Sequence, residues 1–140
     1  MPQLTRERAL LAARGLALAR VAIGATAWIS PKVVLRPWVG SSDAGFPSVI
    51  LLGRALGARD IALGAGALLA ARDSGPVRGW VEAGGLADAG DTLATVLAFG
   101  DLPRMGRWAI LATTLGAVVA AAVISPALGT VAADARAGAD

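Results

Sequence analysis

Five ionisable residues stand where apolar sequence surrounds them: Arg20, the adjacent Arg59 and Asp60, and the pair Asp88 and Asp91, one helical turn apart. Like charges that close in a dry site cannot both ionise freely. One carboxyl is then expected to keep its proton while Arg20 or Arg59 holds another ionised. The set would supply a proton donor and a proton acceptor, with Asp88 or Asp91 as the acid/base group, Asp60 as its partner, and Arg59 and Arg20 orienting polar substrate groups. The sequence does not rank Asp88 above Asp91. Arg54 is a weaker orienting candidate, set beside a glycine stripe but near enough to a span end for its side chain to reach an interface. Glu82 falls in the same weaker class and is spaced to pair with Arg78 one turn before it.

Absent residue types narrow the chemistry further. With no Cys, His or Tyr, thiol nucleophiles, imidazole bases, phenolic acids, disulfides and zinc sites with thiolate or imidazole ligands are all excluded. Two acids spaced as Asp88 and Asp91 do not by themselves define a Mg²⁺ site for a diphosphate. No metal and no cofactor is expected.

These charges need elements to position them. The chain has 140 residues, of which 56% are hydrophobic and 16% charged, with a net charge of +3. Such a composition fits one all-α domain over residues 1–140 and argues against disorder. The basic residues are dispersed rather than clustered, so nucleic acid is not an expected partner. Hydropathy marks four apolar segments, at about residues 10–29, 47–71, 77–99 and 106–127, each near the ~20 residues that a bilayer crossing needs. The breaks carry helix-ending signals: Ser30-Pro31 and Pro37, Asp73 to Pro76, Gly100 to Pro103, and Ser125-Pro126. The expected fold is an integral membrane four-helix bundle, with the lipid bilayer as its principal partner.

A soluble four-helix bundle would need a charged face on every helix, yet the chain holds a single lysine, Lys32, and two glutamates, Glu7 and Glu82. The tryptophans Trp28, Trp38, Trp80 and Trp108 lie near the ends of the segments, where amphipathic rings suit a membrane interface. A cleaved signal peptide is disfavoured by Arg20 in the middle of the first segment. Arg6, Arg8, Arg14, Arg72, Arg78 and Arg136 on one side outweigh Lys32, Arg36, Arg104 and Arg107 on the other, which favours a multi-pass inner (plasma) membrane protein with both termini cytoplasmic. Residues 30–46 form the longest loop, a candidate surface lid, and residues 128–140 read as a short exposed tail.

Helical spacing then groups the charges. Ala13, Ala17, Arg20 and Gly24 share one face, as do Gly53, Gly57, Asp60 and Gly64, and Gly84, Asp88, Asp91 and Thr95. Ala109, Thr113, Gly116 and Ala120 make a fourth such seam without a charge. Arg59 stands about one hundred degrees around the helix from Asp60, too far to share its narrow seam, though both reach the bundle interior if the helix is central. Small residues at these intervals permit close helix packing. At about 2.5 to 3.5 kcal/mol each, five charges facing lipid would cost on the order of 15 kcal/mol, so they must face one another or a wet cavity.

Three functions follow from such a cluster. The first is an embedded acid/base enzyme, of isomerase or cyclase type, acting on a lipid-soluble isoprenoid- or polyketide-like molecule. The second is a proton, ion or small-molecule transport component, which with four helices would need a homo-oligomer or a larger membrane assembly. The third is a structural subunit whose buried ion pairs set helix register.

The run Gly57-Ala58-Arg59-Asp60-Ile61-Ala62-Leu63-Gly64, followed by Ala87-Asp88-Ala89-Gly90-Asp91 and preceded by Arg20-Val21-Ala22-Ile23-Gly24, resembles an uncharacterised group of small bacterial four-helix membrane proteins, broadly DoxX-like. That resemblance implies architecture and membrane location. It carries over no activity and no catalytic residue.

Overall fold

A computed structural model describes residues 4–73 and 75–129, and these are helical, with no strand among them. Four long helices, α1 (Arg6–Ile29), α3 (Pro47–Arg72), α4 (Val77–Leu97) and α5 (Arg104–Ile124), match the four apolar segments to within a few residues. Their ends have local causes. Thr5 caps α1, its hydroxyl accepting from the Arg8 amide at 3.4 Å. Pro47 opens α3, and Pro76 and Pro103 immediately precede α4 and α5, positions where a missing amide hydrogen costs nothing.

Two expectations are corrected here. Residues 30–46 are not a loop throughout: they hold α2 (Pro31–Val39) and a single 3₁₀ turn, Asp43–Gly45. Pro31 sits at the first position of α2, and Gly40, at φ 95°, ends it in a conformation that favours glycine. Leu35 of this helix is buried, so α2 is packed onto the bundle. At the other end of the chain, a 3₁₀ turn, Ser125–Leu128, prolongs α5 past Pro126, and Leu128 is buried where an exposed tail was expected to begin. Residues 130–140, including Arg136, and Ser74 lie outside the described residues.

The long helices run alternately up and down. Ala9 and Ala13 at the start of α1 share a core with Ala70 at the end of α3, Val77 and Val81 at the start of α4, and Ala121, Ile124 and Leu128 at the end of α5. At the opposite end, Pro31 and Leu35 of α2 cover Gly53, and the Pro37 carbonyl approaches Gly106 so closely that a side chain there has no room. The tightest packing is between α1 and α3. A β-carbon on Gly24 would come within 2.7 Å of the Gly57 carbonyl oxygen, and one on Gly57 within 2.6 Å of the Gly24 carbonyl oxygen. Gly64 lies as close to the Ala17 carbonyl. The two backbones therefore touch, which glycine alone allows.

Helices α4 and α5 form a second pair, joined to the first through α3 and α4, whereas α1 and α5 make few contacts. The Arg107 guanidinium ties α5 to the end of α4, lying 4.2 Å from the Phe99 ring centre and donating to the Phe99 carbonyl at 2.6 Å. Among the described residues, two segments are long and apolar enough to cross a membrane, Arg6–Ile29 and Arg104–Leu128. The expected four crossings are met by length and composition in these two alone. Arg54, Arg59 and Asp60 in α3, and Arg78, Glu82, Asp88 and Asp91 in α4, account for the difference.

Candidate functional site

The three charged seams converge. Their small members Ala13, Ala17, Gly24, Gly53, Gly57 and Gly64 are buried, which turns Arg20 and Asp60 towards the interior between α1, α3 and α4. From α4, Gly84, Asp88 and Thr95 are buried on the same side. Gly84 has a specific role there. Its missing side chain leaves space for the Arg20 guanidinium, to which a β-carbon would lie within 3.2 Å, and its carbonyl accepts from Arg20 Nη2 at 3.3 Å.

The charges form one chain of alternating sign. Arg20 donates from Nη2 to Asp88 Oδ2, and from Nη1 to Asp60 Oδ1 at 3.0 Å. Arg59 meets the same Asp60 oxygen from Nε at 3.3 Å and Nη2 at 3.2 Å. Its Nη1 and Nη2 also grip both oxygens of Asp91, at 3.0 and 2.7 Å. The order is Asp88, Arg20, Asp60, Arg59, Asp91. The bidentate Arg59–Asp91 pair is the geometry in which guanidinium and carboxylate bind most strongly.

The arrangement fixes which arginine each carboxylate meets. Asp88 and Asp91 do not bond to each other: each has its own arginine, and no hydrogen bond joins the two carboxyls among the described residues. Arg59 and Asp60 both reach the interior, as a central α3 allows, and the long arginine side chain also bonds the carboxylate of its neighbour. Arg54 stays apart, donating to the Trp28 carbonyl at 3.4 Å on an exposed surface. Glu82 pairs with Arg78 at 2.7 Å, as its spacing implied, and also accepts from Ser125, a contact that sequence spacing does not reveal.

The ion-pair chain forms one wall of a cavity of about 370 Å³ bounded by all five helices. Arg20, Arg59, Asp60, Asp88 and Asp91 all line it, and most of the remaining lining is apolar, including Ile23, Leu56 and Ile110. Helix α2 contributes Val34, Leu35 and Trp38, closing one end. The segment that its prolines mark as a surface loop is thus a wall of the site. The exposed Ala19 and Ile23 of α1 face the exposed Thr113 and Gly116 of α5 across the loosely packed α1–α5 gap, which makes this gap the cavity mouth.

The expected seam on α5 is thereby reassigned. Thr113 and Gly116 are exposed and line the cavity, while the helix packs through Gly106, Ala121 and Ile124. The Thr92 hydroxyl lies 2.8 Å from both the Thr114 hydroxyl and the Asp88 carbonyl, so its one hydrogen is shared between a link from α4 to α5 and the α4 backbone. No protein family, curated protein or solved structure matches the chain.

Proposed function

We propose that this chain is a multi-pass inner-membrane protein which admits a lipid-soluble molecule through the α1–α5 gap and presents carboxylates to its polar end. The observation that carries this reading is the inverted distribution of polarity. Leu18, Leu51, Leu86, Leu97, Leu115 and Val123, from all four long helices, are more than half exposed, while the Arg20 and Asp88 side chains retain 9% and 10% of their accessible surface. In water that pattern leaves large apolar surfaces unsatisfied on every side and a dry cluster of charge within. In a bilayer the exposed apolar side chains meet hydrocarbon, and charges that must lie at that depth cost least when paired with one another inside the bundle. The charges that reduce the apolar character of α3 and α4 are for the most part the same ones that pair inside, so they do not preclude those helices from crossing. Excess arginine at the ends of α1, α3 and α4 favours cytoplasmic termini, and the likeness to small DoxX-like proteins agrees with this architecture.

Within the cavity, Asp60 Oδ2 and Asp88 Oδ1 have no hydrogen-bond partner among the described residues, and both side chains line the open space. They are the acceptors that a proton would reach. Arg20 and Arg59 hold the carboxylates in place and offer remaining N–H groups for orientation. This suits acid/base chemistry of the isomerase or cyclase kind, in which a proton is removed from one position and returned to another.

Deuterium exchange tests it whatever the substrate. The protein in nanodiscs, supplied with a bacterial lipid extract in D₂O, should introduce deuterium into a lipid-soluble species, read by mass spectrometry. Asp88→Asn and Asp60→Asn should abolish the label. Labelling no greater than in empty nanodiscs would defeat the enzymatic reading. A fully folded Asp88→Asn protein with undiminished labelling would remove Asp88 from it.

A further inference from the structure

With its three carboxyls ionised, the ion-pair chain is one positive charge short. Two guanidinium groups, Arg20 and Arg59, face three carboxylates, Asp60, Asp88 and Asp91, and no other cation among the described residues lines the cavity. The surplus is not spread evenly. Arg59 takes both oxygens of Asp91, whereas Asp60 and Asp88 each bind through a single oxygen and leave the other without a partner among the described residues. These two carboxylates share Arg20 between them, and both open onto the cavity.

We propose that the molecule entering this cavity carries the missing charge: an amphiphile with a cationic head, such as a protonated amine, and an apolar body. This deepens the reading of the cavity as a lipid-accessible binding site and rests on it. An ammonium group has hydrogens to give to Asp60 Oδ2 and Asp88 Oδ1, and its charge brings the cluster to neutrality in a medium where an unbalanced charge is costly. A phosphate or carboxylate head would add to the surplus instead. A metal ion is poorly suited, because Arg20 separates Asp60 from Asp88 and Arg59 occupies Asp91, and no group of three acids among the described residues converges on one point. Trp38 in the lining supplies an aromatic ring, a further feature favourable to a cation. The apolar body would lie along Ile23, Leu56 and Ile110.

Three probes that share a tail and differ in head charge decide the matter: decylamine, decanol and decyl sulfate. Each is titrated at neutral pH onto the wild-type chain in phosphatidylcholine nanodiscs, with empty nanodiscs correcting for bilayer partitioning. Decylamine should bind saturably and more tightly than decanol by roughly tenfold or more, the scale of a close desolvated charge pair, and decyl sulfate should show no saturable binding. Gly116→Trp, which fills the mouth, should abolish decylamine binding, and Asp88→Asn should bring decylamine and decanol close to equal affinity. The wild-type series decides even if the Asp88 variant does not fold. Decanol or decyl sulfate binding as well as decylamine would overturn the cationic preference and leave the cavity reading standing. If no probe binds saturably, the binding cavity and the inference fall together.

Discussion

Arg20 and Asp88 are 68 residues apart in sequence, yet the guanidinium of one donates directly to the carboxylate of the other across the bundle. Their helices, α1 and α4, otherwise scarcely touch. The arginine side chain spans the gap over Gly84 and is held from both sides, by Asp60 and by Asp88. One buried cation thus joins three helices.

Removing that cation should be far more damaging than replacing the whole group. Arg20→Met leaves Asp88 without a cation and Asp60 with Arg59 alone, and is expected to cost about 3 to 5 kcal/mol. Arg20→Met combined with Asp60→Asn and Asp88→Asn should recover much of the loss. Thermal unfolding in detergent measures both, and equal destabilisation by the single and the triple variant would contradict the pairing.

The glycines of the α1–α3 contact give a second comparison. Gly57→Val should destabilise by about 1 to 3 kcal/mol or more, since its side chain would enter the backbone of α1. Gly15, on the same helix pair, has nothing within 4 Å of a β-carbon. Gly15→Ala should therefore stabilise slightly, by up to about 1 kcal/mol, through helix propensity alone. Unfolding midpoints of the two variants should move in opposite directions.

Gly84 should matter through Arg20. Gly84→Val crowds the guanidinium, so it is expected to lower stability by about 1 to 3 kcal/mol and to weaken any deuterium labelling that depends on Asp88. Combining it with Arg20→Met should add little beyond the arginine change alone, because both act on one contact. Fully additive losses would place the role of Gly84 elsewhere.

Much of this site is legible in the sequence because charges and glycines mark the same helix faces. The spacing of Ala13, Ala17, Arg20 and Gly24, and its counterparts on α3 and α4, identifies three faces that the structure turns towards the interior. Helix α5 has no buried charge to distinguish one small-residue face from another, so Thr113 and Gly116 read as packing positions when they border the cavity. Helix α2 is only nine residues long and contains two prolines, Pro31 and Pro37, which read as punctuation. Its place in the structure depends on Leu35 fitting over Gly53, a tertiary contact with no local signature. Nor does spacing reveal which arginine meets which aspartate. That choice follows from α1 lying against α3 and from the reach of Arg20 to α4.

A membrane-embedded site requires above all that Leu86 and its neighbours face hydrocarbon while Asp88, on the other side of the same helix, faces the interior. The chain has no cysteine, so single spin labels can be placed cleanly at Leu18→Cys, Leu51→Cys, Leu86→Cys and Leu115→Cys in nanodiscs. Collision rates with oxygen should exceed those with a water-soluble nickel complex at all four positions, as for sites within a bilayer. Nickel collisions dominating at these positions would contradict the membrane assignment and every functional proposal built on it.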